Sequence, residues 1–186
     1  MDAKALALTF IEQKAQPVWL LDLNELAASI NKAIIEVAQQ HPDYVRGFVG
    51  KTMFQLVLGA FDPDTSTSYI RAIQFNLSDR LAIEPTVTAD RKFTNTDVPD
   101  YPHFGDTIPF TTHVMLGPGR RHLAGSLDQI HSKPTIADVS VAEASDLAIN
   151  LIEAAKLTSV EVPELNSIGG DVAAYLIDAK GVERIK

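Results

Sequence analysis

The residue type in this sequence with the most versatile chemistry is histidine, since its imidazole ring acts as acid, base or metal ligand near neutral pH. A helical zinc motif such as HExxH needs two histidines four residues apart. No pair has that spacing among His41, His103, His113, His122 and His131. The chain has no cysteine, which removes thiolate ligands, thiol nucleophiles and disulfides. The sequence therefore predicts no metal and no cofactor, and leaves open only a metal site assembled by tertiary proximity.

The segment DPDTST, residues 62–67, begins with alternating oxygen side chains, as an EF-hand calcium loop does. That loop requires glycine at its sixth position and glutamate at its twelfth, and these positions hold Thr67 and Ile73. The calcium motif is therefore rejected. Aspartate and hydroxyl side chains bond to the local backbone in turns, and Pro63 presets a turn angle. We expect the turn of a β-hairpin here.

Two glycine pairs are the remaining candidate positions. Gly117 and Gly119 flank a proline and lead into two arginines, GPGRR, at the start of an expected helix. Free backbone N–H groups and guanidiniums there can hold an anion; the alternative is a tight turn followed by a solvated basic segment. Gly169 and Gly170 permit positive φ and close backbone approach, and a structural corner leading into a strand explains them without a ligand.

Hydrophobic spacing and turn signals define the elements that would position these residues. A helix is predicted from Leu23 to Gln40, capped by Asp22 with Glu25 three residues later and ended by Pro42. Strands are predicted over 52–61 and 69–76 as an antiparallel hairpin, with another strand over 108–116 and a helix over 120–131. Residues 78–108 contain three prolines and are interpreted as a long loop, in which Val87 or Phe93 lies in a short strand.

The segment from Val139 to Ile185 has the clearest local pattern. Ser140 and Glu143 form the S-x-x-E signature of a capping box, and apolar residues recur behind them at helical spacing. Pro163 closes the exit of that helix. After Gly169 and Gly170, the run DVAAYLI reads as a strand, residues 178–181 as a turn, and residues 182–185 as the returning strand. A capped amphipathic helix followed by a β-hairpin is predicted.

These elements, in this order, resemble the later portion of proteasome-like N-terminal-nucleophile (Ntn) hydrolases. The resemblance rests on GAFDP at a strand end, on LGPG before a helix, and on SVAEASDLAINLIEAA followed by IGGDVAAYLIDAKGVERI. It is strongest over residues 52–76 and 108–185 of a single domain spanning 1–186. It implies an α+β fold, a layered αββα sandwich with antiparallel sheets, here lacking the first β-hairpin.

The resemblance also implies a chemistry, threonine-type peptidase or amidohydrolase activity, in which an N-terminal Thr, Ser or Cys attacks an amide and its own amine acts as base. The substrate class is a peptide or small amide, and members assemble into homo-oligomers. Gly117 and Gly119 would lie near the active-site side, while Gly169 and Gly170 would be structural turn positions.

The chain departs from the family pattern at the positions that do chemistry. Asp2 follows Met1, so no nucleophile stands second, and the family's Gly-Ser-Gly turn has Pro118 in place of serine. Leu165 and Ile168 replace the polar residues expected before the final glycine pair. No catalytic residue carries over. We expect an inactive relative or a fragment of a hydrolase; the alternative is a non-catalytic structural or protein-binding α/β scaffold.

Composition limits the partners. The 186 residues are 46% hydrophobic and 22% charged, which is typical of a globular chain. The net charge of −8 argues against binding to nucleic acid or to an anionic membrane surface. No apolar run reaches the roughly 20 residues that span a bilayer. The first residues are too charged for a secretory signal, so the sequence predicts a cytoplasmic protein.

Overall fold

The computed structural model describes residues 22–102, 104, 110–162 and 172–186. Their contacts divide them into two compact units. Unit 1 comprises the described residues up to Ala60 together with Ser68–Lys92, and unit 2 comprises Phe61–Thr67 together with the described residues from Phe93 to Lys186. The α+β class is confirmed: helices accompany a three-stranded antiparallel sheet and a separate two-stranded one. One domain over residues 1–186 stays a prediction.

Unit 1 is a helix packed on a three-stranded sheet. Helix α1 spans Leu23–Gln40, as predicted, and the Asp22 carboxylate caps it by accepting a hydrogen bond from the Asn24 N–H. The short helix α2, Pro42–Arg46, follows at once. Because the apolar residues of α1 recur every three or four positions, they form one stripe that meets the sheet. The shared core contains Leu26, Ala27, Ile30, Ile34, Val45, Leu58, Ile73, Phe75, Leu77 and Ile83.

The sheet is a meander in the order β1-β2-β3, with β1 at Thr52–Asp62, β2 at Thr67–Leu77 and β3 at Ile83–Phe93. The predicted hairpin of the first two strands is confirmed. The prediction of a loop over 78–108 is wrong between residues 83 and 93, where β3 completes the sheet. Pro85 lacks a ladder donor, and the strand order places it in an edge strand, where that loss is tolerated.

Unit 2 begins its described helical part with a π-helix, Phe110–Met115. The strand predicted over 108–116 is therefore wrong across these residues; residues 105–109 lie outside those described. The Leu116 N–H donates to the Thr111 carbonyl at 3.0 Å, a bond spanning five residues. A 3₁₀-helix, Pro118–His122, and helix α3, Ala124–His131, replace the single helix predicted over 120–131.

Helix α4, Val141–Glu161, and its capping box are confirmed. The Ser140 hydroxyl accepts from the Glu143 N–H, and the Glu143 carboxylate accepts from the Ser140 N–H. The helix packs on α3 and the π-helix around a second core of Phe110, Val114, Met115, Leu123, Leu127, Ile130, Leu147, Ala154 and Ala155.

The predicted C-terminal hairpin is also confirmed: β4, at Tyr175–Asp178, is shorter than predicted, and β5, at Gly181–Arg184, begins and ends one residue earlier than predicted. They are antiparallel, Asp178 pairs with Gly181, and residues 179–180 form the turn. Gly181 has φ +121°, a conformation that side chains disfavour. Gly169, Gly170, Leu165 and Ile168 lie outside the described residues. None of the helices in the described part of the chain has the length and apolar content needed to cross a membrane.

Candidate functional sites

The turn that precedes the two arginines is tightly packed rather than open. A Cβ on Gly117 would lie 2.6 Å from the Thr112 carbonyl oxygen and 2.8 Å from that of His113. A Cβ on Gly119 would overlap the Thr158 hydroxyl of α4 and lie 2.9 Å from the Val114 Cα. Both glycines are therefore needed because backbone and helix approach them closely, which is a packing role.

Both arginines after this turn have protein partners. Arg120 donates from Nη1 to the Met115 carbonyl at 3.3 Å. Arg121 forms an ion pair with Glu161 in the last turn of α4, with 2.6 Å between Nη2 and Oε1, and also donates from Nε to His122. An anion would have to compete with the Glu161 carboxylate for Arg121. The geometry thus favours the structural turn over the anion site among the two alternatives.

A tyrosine–histidine pair lies nearby in unit 2. The Tyr101 hydroxyl and His131 Nε2 are 2.8 Å apart, and their rings are 5.5 Å apart at the centroids. Burial raises the pKa of the Tyr101 phenol, while the positive charge of Arg120 opposes that shift. The phenol therefore keeps its proton at neutral pH and can donate to an unprotonated Nε2. Thirty residues separate the two, and no motif spacing signals the pair in the sequence.

Such a pair can exchange a proton, but acid–base catalysis also needs a nucleophile or a polarised substrate position within hydrogen-bond reach. Among the described residues, the contacts of Tyr101 and His131 include neither a nucleophile nor a group that would polarise a substrate. In the described part of the chain, no group of three or more His, Asp or Glu side chains is arranged to hold a metal ion. The pair's evident role is to fasten the segment after β3 to the end of α3.

The acidic turn after β1 uses its oxygens internally. Asp62 accepts hydrogen bonds from the Asp64 N–H at 3.0 Å and from the Thr65 hydroxyl at 2.7 Å. The bond from the Thr65 hydroxyl is the main reason that the pKa of Asp62 is lowered. This is the local turn bonding expected from the sequence.

Unit 1 contains an apolar cleft, which sequence reasoning missed. It has a volume of about 200 Å³ and lies between the end of α1, α2 and the start of β1. Its lining is Ile34, Val37, Tyr44, Val45, Phe48, Met53 and Phe54. Tyr44 is 64% exposed, and its ring meets the Phe48 ring edge-on at 5.3 Å between centroids. The members come from three elements and from the segment between α2 and β1, so only the tertiary fold brings them together.

The size and lining of this cleft limit what it can bind. Pockets for drug-sized ligands usually span roughly 300–1,000 Å³, whereas a cavity of about 150 Å³ holds one benzene. The lining side chains offer only the Tyr44 hydroxyl as a polar group, so a charged or phosphorylated ligand would be desolvated without partners. The cleft therefore suits one apolar side chain or a small hydrocarbon. In comparisons with protein-family models, with curated proteins and with solved structures, nothing matched this chain.

Proposed function

We propose that this chain is a non-catalytic protein-binding scaffold, in which the cleft of unit 1 accepts one large apolar side chain of a partner polypeptide. The cleft itself is the observation that carries the proposal. It is lined by the exposed Tyr44, its other lining side chains are apolar, and its volume fits a leucine- or phenylalanine-sized group. An exposed aromatic beside a pocket is the usual form of an anchor position in protein recognition.

Methionine methyl groups give a direct test, because Met53 lines the cleft and Met115 lies in the core of unit 2. The protein would be labelled with ¹³C at its methionine methyls and titrated with acetyl-phenylalanine amide, and in a parallel titration with benzene. Saturable shifts at Met53, with Met115 unmoved, are the expected result. No shift at Met53, or equal shifts at both methyls, would refute the cleft as a binding site.

A matched pair of variants sharpens this test. Tyr44→Ala removes an exposed ring at the cleft, and Tyr175→Ala removes a similarly exposed ring in unit 2. An aromatic contact contributes about 0.5–1.5 kcal/mol, so Tyr44→Ala should weaken binding of the phenylalanine probe by about two- to tenfold. Tyr175→Ala should leave it unchanged. Equal effects of both variants would contradict a role for the cleft.

A second candidate is an inactive relative or a fragment of the proteasome-like hydrolases, with a layered αββα sandwich that lacks the first β-hairpin and with a homo-oligomeric assembly. The order of α4 and the C-terminal hairpin, and the antiparallel strands after GAFDP, favour it. The π-helix over Phe110–Met115 counts against it, because the resemblance expects a strand there. Incubation with fluorogenic peptide amides tests the lack of catalysis that both candidates share: turnover that persists after repeated purification would overturn both.

A further inference from the structure

Among the described residues, the outer edge of β4 carries backbone groups for which no hydrogen-bond partner is found. Ile185 N–H donates to the Ala174 carbonyl at 2.9 Å, so Ala174 points its backbone groups toward β5. The N–H and C=O groups of successive residues point to opposite edges of a strand, so those of Leu176 and Asp178 also point toward β5. Tyr175 and Ile177 then direct their N–H and C=O groups outward. Within the part of the chain that the structure describes, β4 and β5 form a sheet of two strands only.

The side chains on this edge are apolar and accessible. Tyr175 is 53% exposed and Ile177 is 36% exposed, and Val182, opposite Ile177 on β5, is 70% exposed. A two-stranded hairpin is marginally stable by itself. The two residues whose backbone groups point outward, Tyr175 and Ile177, are uncharged, and an exposed apolar edge of this kind is the type that pairs with another chain. These features together call for a further strand beside β4.

We propose that β4 pairs antiparallel with β4 of a second copy of this chain, about a twofold axis at Leu176. In that register Tyr175 lies opposite the partner's Ile177 and forms a hydrogen-bonded pair with it, twice by symmetry. Leu176 lies opposite Leu176 of the second copy, as a non-hydrogen-bonded pair between the two Tyr175–Ile177 pairs. Aromatic–β-branched pairs are among the favourable cross-strand contacts, and no charged residue faces another. The result is a four-stranded sheet, β5-β4-β4-β5.

Charges determine which edge of the hairpin is used. On β5, Val182 and Arg184 carry the outward backbone groups, so twofold pairing there must align one of these residues with itself or the two with each other. A twofold axis at Val182 places Arg184 opposite the partner copy's Lys180. An axis at Arg184 places the two copies of Arg184 opposite each other. An axis at Glu183, which pairs Val182 with Arg184, places the two copies of Glu183 opposite each other. Each register opposes like charges, which is a known protection of edge strands. The β4 edge lacks this protection.

A single cysteine placed at the axis tests the register directly, because the chain has no other cysteine. Opposed residues in a non-hydrogen-bonded pair have Cα atoms about 4.5 Å apart, within the range of a disulfide. Leu176→Cys should therefore form a covalent dimer of twice the 20.2 kDa chain mass under mild oxidation. Val182→Cys, which is more exposed but away from the axis, is the control and should yield less than a tenth as much. Equal cross-linking of both would overturn the proposal.

Charge variants give an independent readout that does not need a cysteine. Sedimentation should show a dimer for the unmodified chain and for Val182→Lys, but a monomer for Tyr175→Lys combined with Ile177→Lys. Tyr175→Glu combined with Ile177→Lys should restore the dimer, because this register places each carboxylate opposite the partner's ammonium. Circular dichroism verifies folding of each variant.

Three results would overturn the proposal: a monomeric unmodified chain at high concentration, equal behaviour of the two double variants, or open-ended growth, which would indicate pairing of β4 with the partner's β5. The cleft experiment is independent of all three, since its probe binds unit 1.

Discussion

Gly117 and Gly119 are turn positions, as the sequence predicts, but the structure gives a further reason why these positions hold glycine. The sequence marks both as turn positions, and the anion hypothesis follows from their place before two arginines. Their geometry shows that the space is already filled: carbonyl oxygens of the π-helix meet Gly117, and Thr158 of α4 meets Gly119. Glycine at these positions therefore allows neighbouring elements to pack closely. The local sequence does not indicate that a residue as distant as Thr158 would contact Gly119.

Substitution of Gly119 by alanine tests that packing role. The added methyl group would overlap Thr158 and approach the backbone of Val114 and His113, so the 3₁₀-helix and α4 would have to move apart. Overpacking of this kind costs about 1–3 kcal/mol of unfolding free energy. Urea denaturation followed by circular dichroism should show a lower midpoint for Gly119→Ala.

Gly125 provides the matched control, because it lies in α3 with no heavy atom within 4 Å of the position of an added Cβ. Gly125→Ala should stabilise by up to about 1 kcal/mol, since alanine is the better helix former. If the two variants shifted the midpoint in the same direction, the close contact at Gly119 would not be limiting for stability.

At the scale of elements, the sequence predicts those whose signals are local. Helices α1 and α4 have caps at Asp22 and Ser140, and these caps predict where both helices start. The β1–β2 hairpin is signalled by its turn chemistry. Strand β3 has a weak signal in the sequence because most of its residues are exposed, which leaves little hydrophobic alternation, and because Pro85 normally argues against a strand.

The sequence of the π-helix predicts a strand because its local preference differs from its conformation in the fold. Its residues FTTHVM are mostly β-branched or aromatic, which favours an extended backbone in isolation. In the fold, Phe110, Val114 and Met115 are buried against α3 and α4, and that tertiary burial overrides the local preference. The cleft has no sequence signal for the same reason: its lining comes from α1, α2, β1 and the segment between α2 and β1, and has no common sequence spacing.

The junction of α3 and α4 is expected to make stability depend on acid pH. Glu143 caps α4 and also accepts bonds from Gln129 Nε2 and Lys133 Nζ, both at 2.8 Å. The Lys133 ammonium, followed by the Ser140 and Gln129 donors, lowers the pKa of Glu143 from 4.5 to about 2. A lowered folded-state pKa means that the unfolded chain binds the proton more tightly. The stabilisation is therefore complete above about pH 4.5 and disappears as the pH falls to about 2.

Melting temperatures at a series of pH values test this expectation. Glu143→Gln should be less stable than the unmodified chain at pH 7, and the difference should shrink between pH 4.5 and pH 2. Glu36→Gln, at an exposed position of α1, controls for the loss of one acidic charge. A difference between Glu143→Gln and the unmodified chain that stayed constant down to pH 2 would contradict the role of the Lys133 contact.

At the scale of the whole molecule, the net charge of −8 opposes any association of two copies. The proposed β4 contact contains no charged pair, so salt should act on the dimer only by screening this general repulsion. The Debye length falls from about 30 Å at 10 mM to about 8 Å at 150 mM ionic strength. We therefore expect the dissociation constant at pH 7 to fall several-fold over this range, as measured by sedimentation equilibrium.

The double variant Tyr175→Glu with Ile177→Lys serves as the control for this salt dependence. Its contact would contain ion pairs across the twofold axis, and salt weakens exposed ion pairs. Salt then strengthens the dimer by screening the general repulsion and weakens it by screening the ion pairs. The dissociation constant of this variant should therefore fall less than that of the unmodified chain. A dimer of the unmodified chain that weakened with salt would have to be held by ion pairs at another surface, because the apolar β4 register has none to lose.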